Sequence, residues 1–317
     1  MQTLLLGLFN GVVYGLLLFL MAAGLTLVFS MLGVLNFAHA AFYMLGAYFA
    51  YTFAQIFGFG FWWGLVVAPL CCAGLAWVVE RVGLRHVIAF GILGPLLFTF
   101  ALDFLLVELV TLIWGKQPVG YLPPPSLDHP LFVIQGVAYS AYRCFVLMMA
   151  LVVLGALAAL LKGTRVGTTV RASLSQPEIV NTLGHNLPML RSVVFVLGGA
   201  LAGLAGALAG NLFGTEPGMA SQVGTLLMIV IVVGGLGSLA GALLSSLLIG
   251  IAQSLAITTD LSWANLLGPL QAHMQAWPTL FDTLSQPVSR FAPLVPFAII
   301  ILILVFRPRG LLGQHEL

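Results

Sequence analysis

The sequence predicts an all-α, polytopic membrane protein. Of its 317 residues, 61% are hydrophobic and only 6% are charged, and the mean hydropathy is +1.13. The first Asp, Glu, Lys or Arg along the chain is Glu80. A helix needs about 20 apolar residues to cross a bilayer, so the stretch before Glu80 has room for about three crossings. The apolar runs are continuous rather than alternating, which favours helices over a β-barrel.

The apolar runs predict eight or nine membrane segments. They lie near residues 4–29, 34–57, 61–80, 87–114, 140–161, 192–212, 222–257 and 291–306. The run at 222–257 is too long for one crossing, and the sequence GGLGS at 234–238 interrupts it. We expect this broken segment to form two short passes or a re-entrant pair, which is tolerated where protein or water surrounds the interrupted backbone.

Loop charge predicts the orientation of the chain in a bacterial inner membrane. If the segments alternate in direction, eight of the eleven cations fall on one side: Arg81, Arg85, Lys162, Arg165, Arg171, Arg191, Arg307 and Arg309. The positive-inside rule makes that side cytoplasmic. The opposite loops, 115–139 and 258–289, contain Asp128, Asp260 and Asp282. An outer amino terminus and an inner carboxyl terminus fit nine crossings.

Composition argues against several other classes of protein. The net charge of +2 is too small to suggest a nucleic-acid partner. Cys71, Cys72 and Cys144 show no metal-ligand spacing, and we expect them to be small side chains in packed helices. No metal and no cofactor are predicted. The longest pieces outside the membrane have about 25–30 residues, too few to bury a core of their own.

Small residues at helical spacing predict close packing between helices. They recur as Gly198, Ala202, Gly206 and Gly210, with Gly199 and Gly203 beside them, and again as Gly237, Gly241 and Ser245. Small side chains four residues apart let helix backbones approach each other within lipid. The pattern leaves open whether these ridges pack inside one subunit, form a subunit interface or belong to a moving surface.

The polar loop at 162–191 predicts a short helix. Ser175 and Glu178 have the spacing of a capping box, in which each side chain satisfies a backbone N–H at the helix start. Pro177 suits the first turn, and Gly184 suits a left-handed end. A helix of about eight residues is marginal alone in water, so it needs a docking surface on the bundle or on a partner protein. Its apolar residues can share one side: Ile179, Val180 and Leu183.

Several stretches resemble the LivH-type permeases for branched-chain amino acids, a family of ABC importer subunits. RASLSQPEIVNTLGHN at 171–186 resembles the family's cytoplasmic EAA-then-glycine loop, with Ile179 and Val180 where the motif has two alanines. Three further stretches resemble the family in the same order: GLTLVFSMLGVLNFAHAAFYMLGAY at 24–48, GGLGSLAGALLSSLLIG at 234–250 and RPRGLLG at 307–313. His39 is followed by Ala40, where family members often have glycine.

This resemblance implies a single ABC importer permease domain, residues 1–317, with a cytoplasmic coupling loop at 162–191. The loop would seat a coupling helix in a groove of cytoplasmic ABC ATPase subunits through Arg171, Glu178, Ile179, Val180, Leu183 and Gly184. The resemblance also implies a second permease subunit similar to LivM and a periplasmic substrate-binding protein. The expected function is translocation of branched-chain or related small hydrophobic amino acids across the inner membrane.

The chain is not expected to be an enzyme. It contains no phosphate-binding loop, since its single Gly-Lys pair, Gly115-Lys116, is followed by Gln117. No catalytic residues are predicted, and ATP hydrolysis would belong to the partner chains. Two alternatives stay open at this point: a permease for another small solute, such as an amide or urea, and an ATP-independent secondary transporter.

Four polar residues at membrane depth are candidates for the translocation path. They are Asn36, His39, Asp103 and Glu108. Ionisable groups inside a bilayer are costly and usually face a cavity or a partner. Asp103 and Glu108 are five residues apart, about 140° around a helix, so they do not share a face. The alternative is structural: helix-end hydrogen bonds for Asn36 and His39, and bonds to neighbouring helices for the two acids.

Overall fold

The computed structural model describes residues 2–134, 137–175, 180, 182–184, 186–259 and 286–313. The helices are α1 (Gln2–Leu32), α2 (His39–Tyr51), α3 (Phe61–Val79), α4 (Arg85–Val87), α5 (Leu93–Trp114), α6 (Ala141–Gly163), α7 (Arg165–Ser175), α8 (Leu187–Phe213), α9 (Met219–Gly234), α10 (Leu239–Thr258) and α11 (Val295–Phe306). Two short strands, β1 (Pro130–Ile134) and β2 (Val137–Ser140), form an antiparallel hairpin between α5 and α6. The predicted helical membrane protein is confirmed, and the hairpin is an addition that the sequence did not indicate.

Seven helical stretches are long and apolar enough to cross a membrane. They are Thr3–Leu32, Phe61–Phe90, Leu93–Trp114, Ala141–Gly163, Leu187–Phe213, Leu239–Thr258 and Val288–Phe306. The shorter helices α2 and α9 bring the number of apolar segments in the described part of the chain to nine. This number fits the prediction of eight or nine.

One predicted boundary, between the third and fourth segments, is wrong. The sequence predicts a loop at the charged residues 81–86, but the helical stretch Phe61–Phe90 continues through them. Arg81 and Arg85 are both exposed, so their charges impose no burial cost that would end the helix. The chain reverses only at Gly91, whose φ of +77° is a conformation that favours glycine.

The predicted break in the long apolar run lies where GGLGS stands. Helix α9 ends at Gly234 and α10 begins at Leu239. Between them Gly235 has a φ of +99° and Gly237 a φ of +80°, so two glycines turn the chain in a conformation that other residues rarely adopt. The result is a pair of consecutive short helices rather than one long one.

The residues after α11 form backbone hydrogen bonds at this break. The Leu311 N–H donates to the Val233 carbonyl at 2.8 Å, and the Leu312 N–H donates to the Gly234 carbonyl at 3.0 Å. Both carbonyls lie at the carboxyl end of α9, where helix carbonyls lack a partner within the helix. The stretch RPRGLLG, which we call the tail segment (307–313), therefore supplies the hydrogen-bond donors that the last carbonyls of α9 lack within the helix.

Replacing Ser238 by alanine is expected to lower the stability of the folded protein by about 1 kcal/mol. The Ser238 side chain is the amino-terminal cap of α10 and accepts a hydrogen bond from the Gly241 N–H at 3.0 Å. Alanine leaves that donor without its acceptor. Thermal unfolding in detergent measures the effect. Ser238→Thr keeps the hydroxyl and should unfold close to the native protein; an equal loss in both variants would contradict the capping role.

Helix α1 forms the centre of the bundle. Its residues 15–28 are buried without interruption, and it packs against α6, α8 and α10. At the crossing with α10 the backbones touch: a Cβ added to Gly11 would lie 2.6 Å from the Ile251 Cα, and one added to Gly15 would lie 2.8 Å from the Ser246 carbonyl oxygen. Only glycine permits this approach, as small-residue packing in membranes requires.

The small-residue ridges of α8 pack against three helices of the same chain. Gly198 lies against Gly24 of α1, where a Cβ added to Gly24 would be 2.9 Å from the Gly198 carbonyl oxygen. Gly203 lies between Gly46 of α2 and Cys72 of α3. Of the three interpretations that the sequence left open, these contacts support packing inside one subunit.

The charged ends of the helices agree with the predicted orientation. Arg85 donates a hydrogen bond from Nη2 to the Ser192 hydroxyl at 3.0 Å, so the end of the third apolar segment and the start of α8 lie side by side. Arg85 also forms an ion pair with Glu80, with 3.5 Å between Nε and Oε1. Both segments therefore place their cations at one end of the bundle, which the positive-inside rule makes cytoplasmic.

Candidate functional site

A cavity of about 490 Å³ lies in the outer half of the bundle, among α1, α2, α6, α8, α9 and α10. We call it the outer cavity. Its apolar lining includes Leu17, Leu18, Met21, Val223 and Leu226. Its polar lining includes Asn10, Tyr14, Arg143, Glu216 and Gln253. The volume and the mixture of many apolar with few polar groups are typical of small-molecule sites.

The two charged groups of the outer cavity stand at its outer end. Arg143 belongs to the first turn of α6, directly after the hairpin, and Glu216 belongs to the loop between α8 and α9. That loop is fixed by a pair of backbone hydrogen bonds. The Val119 N–H donates to the Thr215 carbonyl at 2.8 Å, and the Thr215 N–H donates to the Val119 carbonyl at 3.1 Å. Glu216 is thus held by the outer loop rather than by a helix.

Two tyrosine hydroxyls tie the outer elements to α8. Tyr142, the neighbour of Arg143, donates to the Leu208 carbonyl at 2.8 Å. Tyr121, in the outer loop, donates to the Ala207 carbonyl. Burial raises the pKa of the Tyr121 hydroxyl well above its usual range, so the group stays protonated and remains a donor. These bonds fix the start of α6 and therefore the backbone from which Arg143 extends.

The charges of the outer cavity are held by neutral partners. The Arg143 Nη1 donates to the Asn10 side-chain oxygen, and Glu216 Oε1 accepts from the Gln222 side-chain amide at 3.2 Å. Arg143 and Glu216 do not form an ion pair with each other; the ion pair that joins two described residues is Arg85 with Glu80. The Gln253 side-chain oxygen is buried and has no partner among the described residues.

A second cavity of about 390 Å³ adjoins the first on its outer side. It lies between α1, β2 and α6 and is lined by Leu6, Phe9 and Tyr139. Asn10 and Arg143 line both cavities. The hydrogen bond between these two side chains therefore stands at the boundary between the cavities, and any route that joins them passes it.

The structure places Asn36 and His39 away from both cavities. His39 is the first residue of α2 and is 1% exposed, and its Nε2–H donates to the Met21 carbonyl at 3.1 Å. Asn36 is also buried, and its backbone carbonyl accepts from the His39 N–H at 3.3 Å. Met21 lines the outer cavity, so His39 supports the wall without facing the space. The Asn36 Oδ1 and the His39 Nδ1 are buried without a partner among the described residues, and the assignment of both residues to a translocation path stays a prediction.

Asp103 and Glu108 lie on α5, which does not contribute to either cavity. Asp103 is partly buried, and its Oδ1 has no partner among the described residues, whereas Glu108 is exposed. The two side chains therefore differ in surroundings, as their spacing predicts. Their assignment to a translocation path stays a prediction, without support from the cavities.

Sequence reasoning missed Arg143, although a signal was present. Arg143 is the one cation among the eleven that falls inside a predicted apolar segment, 140–161. An ionisable residue within a membrane segment is by default a functional candidate. The acids Asp103 and Glu108 also lie within predicted segments, whereas the cations that indicate orientation lie in loops. Glu216 carries no such signal, because it belongs to a short loop and its place in the same cavity as Arg143 depends on how the helices pack.

The described part of the predicted coupling loop forms a helix and a left-handed turn on the cytoplasmic side. Arg171 is an exposed residue of α7, which follows α6 after one residue. Val180 is 4% exposed, whereas Leu183 is 71% exposed, so these two do not share one surface. Gly184 has a φ of +85°, the left-handed conformation that the sequence predicts. Glu178 and Ile179 lie outside the described residues.

The helix after this loop begins earlier than predicted. The sequence predicts that the next apolar segment starts at residue 192. Instead, α8 begins at Leu187, because Asn186 caps it and accepts a hydrogen bond from the Met189 N–H at 3.0 Å. Pro188 falls in the first turn, where its missing N–H costs nothing.

Comparisons with known proteins all lead to one kind of protein. A family model described as branched-chain amino acid transport system / permease component matches residues 7–304. The high-affinity branched-chain amino acid transport system permease protein LivH of Escherichia coli K12 is 27% identical over 322 residues, 97% of this chain and 95% of that protein. The corresponding permease BraD of Pseudomonas aeruginosa is also 27% identical, with the same coverage. The probable branched-chain amino acid transport permease LivH of Methanocaldococcus jannaschii is 29% identical over 255 residues, 78% of this chain and 79% of that protein. No solved structure matches.

Proposed function

The chain belongs to the permease family of branched-chain amino acid transport systems, and on that premise we propose that it carries leucine, isoleucine or valine through the outer cavity. It is a permease component and a multi-pass protein of the inner membrane. The solute, the path and the source of energy are the proposal.

The outer cavity is the observation that carries this proposal. Its deeper wall, with Leu18, Met21, Val223 and Leu226, offers the kind of apolar surface against which a branched aliphatic side chain is stable. Its outer end is polar and charged, as a solute that arrives from water requires. The volume of about 490 Å³ leaves room for one small amino acid together with water.

We propose that transport is driven by ATP hydrolysis in separate ATPase subunits, which bind at the cytoplasmic end of the bundle. The exposed Leu183 and the left-handed turn at Gly184 lie where a coupling helix would end, and Arg171 is an exposed cation on the preceding helix. Glu178 and Ile179 complete the proposed contact, and Val180, which is 4% exposed, supports it from behind by packing against the bundle. A second permease subunit similar to LivM and a periplasmic substrate-binding protein complete the proposed importer.

The transport step requires a movement below the cavity. Residues 15–28 of α1 are buried without interruption, and Gly24 lies against Gly198 of α8. The cavity ends at the level of Met21, so α1 and α8 seal the way to the cytoplasm in this conformation. We propose that closure of the ATPases separates this contact and opens the lower half of the path. Because both helices touch through glycine, the movement breaks no interlocked side chains there.

A reconstituted transporter tests the proposal. The chain, its partner permease and the ATPases are placed in liposomes with the substrate-binding protein outside and ATP inside, and uptake of radiolabelled leucine is followed. We expect uptake that depends on ATP and on the binding protein. The control replaces ATP by a non-hydrolysable analogue. Leucine uptake by this chain alone in ATP-free vesicles would contradict the importer and support a secondary transporter, and uptake of urea or an amide instead of leucine would contradict the proposed solute.

A further inference from the structure

We infer that the outer cavity recognises a free α-amino acid by both of its charged ends, with Arg143 binding the carboxylate and Glu216 the ammonium group. The inference rests on the proposed function and deepens it, because it assigns a selection step to the permease itself. It starts from one fact of geometry: two opposite charges line the same cavity without pairing with each other.

Arg143 is suited to a carboxylate. A guanidinium carries five N–H donors, and one of its nitrogens, Nη1, is engaged by Asn10. Asn10 thereby orients the group while leaving donors on the other nitrogens. Planar guanidinium groups bind carboxylates through two parallel hydrogen bonds, and such charged bonds are stronger than neutral ones. Arg143 is also partly buried, so its charge is less screened than at an open surface.

Glu216 is suited to an ammonium group. Its Oε1 is engaged by the Gln222 amide, which holds the carboxylate in place as Asn10 holds Arg143. An ionised carboxylate offers about four acceptor sites, so others remain for a ligand. An ammonium group has three N–H donors. The buried, unpartnered oxygen of Gln253, which lines the same cavity, is a further acceptor that a ligand donor would satisfy.

The order of residues along α1 orients the ligand. Asn10, which holds Arg143, precedes Leu18 by eight residues and Met21 by eleven, so these two lie about 12 Å and 16 Å deeper along the helix. The charged ends of the amino acid would therefore stay at the outer rim. Its aliphatic side chain would point inward from that rim, first against Val13 and Leu17, which line the cavity three and seven residues after Asn10.

Recognition of both ends separates amino acids from neutral solutes. An amide or urea entering the outer cavity would displace water from Arg143 and Glu216 without offering either group a charged partner. Sites built to bond a polar group strongly reject analogues that lack it, because the buried groups of the site are then left unpaired. The arrangement thus favours amino acids over the amide and urea alternatives that the sequence left open.

Four matched ligands test the inference on the permease–ATPase complex in nanodiscs, without the substrate-binding protein. They are leucine, leucinamide, which lacks the carboxylate, 4-methylpentanoate, which lacks the ammonium group, and 4-methylpentanamide, which lacks both. Binding is measured by saturation-transfer NMR with titration. We expect leucine to bind most tightly and 4-methylpentanamide least tightly.

Two variants should give opposite patterns. Arg143→Gln should weaken the binding of leucine and of 4-methylpentanoate by about tenfold or more, as expected for the loss of a charged hydrogen-bond partner. The binding of leucinamide should stay unchanged. Glu216→Gln should weaken the binding of leucine and of leucinamide by about the same factor and leave the binding of 4-methylpentanoate unchanged. Arg290→Gln and Asp128→Asn remove exposed charges that do not line the cavity and serve as matched controls.

Each result bears on the inference separately from the proposed function. Undetectable leucine binding by the native complex, equal binding of all four ligands, or an equal loss for all four in either variant would overturn it. A misfolded variant loses all four ligands together, whereas the expected variants each retain one charged ligand. If leucine uptake by the complete transporter persists while the pattern fails, the function stands and the binding assignment is wrong.

Discussion

Replacing Gly46 by alanine is expected to destabilise the folded protein by about 3 kcal/mol, the upper end of the usual cost of overpacking. A Cβ at Gly46 would overlap the carbonyl oxygen, the Cα and the carbonyl carbon of Gly203. All three are backbone atoms, so no side-chain rotation relieves the overlap, and α2 must move away from α8. Thermal unfolding of the purified protein in detergent, together with the yield of monodisperse protein, measures the loss.

A glycine on the surface of the bundle provides the matched control. Gly74 is also inside a helix, α3, but a Cβ added there meets nothing within 4 Å. Gly74→Ala should be neutral or stabilise the helix by about 0.5–1 kcal/mol, the usual difference between glycine and alanine. The difference in stability between the two variants measures the cost of the packing overlap, because both gain the same helix propensity. If Gly46→Ala unfolded at the same temperature as Gly74→Ala, the close approach of α2 and α8 would be wrong.

Replacing Leu183 by arginine is expected to abolish most ATP-driven uptake by weakening the association of the ATPase by at least about tenfold. Leu183 is 71% exposed, so the substitution removes little internal packing and should leave the fold intact. If the coupling helix seats Leu183 in an apolar groove of the ATPase, arginine would bury a charge without a partner. Co-purification of the ATPase and leucine uptake in liposomes measure the effect.

The outer loop offers a matched control for this substitution. Leu122 is 77% exposed and lies on the opposite side of the membrane, where no ATPase can reach it. Leu122→Arg makes the same chemical change at a similar exposure and should leave ATPase association and uptake unchanged. Normal association of the Leu183→Arg protein would count against the coupling helix. Loss of association in both variants would indicate a general defect of assembly.

The sequence predicts most of the helices because the bilayer imposes their length and hydropathy. Each membrane helix satisfies its own backbone, so its existence depends on local composition rather than on distant contacts. The break at 234–238 was equally predictable, since two of its glycines adopt positive φ values. The small-residue ridges of α8 predicted close packing, and the structure supplies the partners as α1, α2 and α3.

The candidate site could not be predicted in the same way. The outer cavity is built from six helices, and its two charged residues, Arg143 and Glu216, are far apart in sequence. Whether they line one cavity depends on which helices are neighbours, and hydropathy carries no information on that point. For the same reason, the sequence identifies Asp103, Glu108, Asn36 and His39 only as polar residues at membrane depth. Each is polar at membrane depth, but depth alone does not distinguish a cavity from a helix contact or a lipid-facing side.

The tail segment also bears on the order in which the protein can be completed. The carbonyls of Val233 and Gly234 receive their bonds from Leu311 and Leu312, which the ribosome adds long after α9 and α10. Until α11 has been inserted, those carbonyls must rely on water at the cytoplasmic surface. The pairing of the tail segment with the end of α9 is therefore a late step in the folding of the protein. A chain released before residue 307 would contain the helices that the structure describes, but the Val233 and Gly234 carbonyls would lack these partners, and we expect membrane quality-control proteases to act on it.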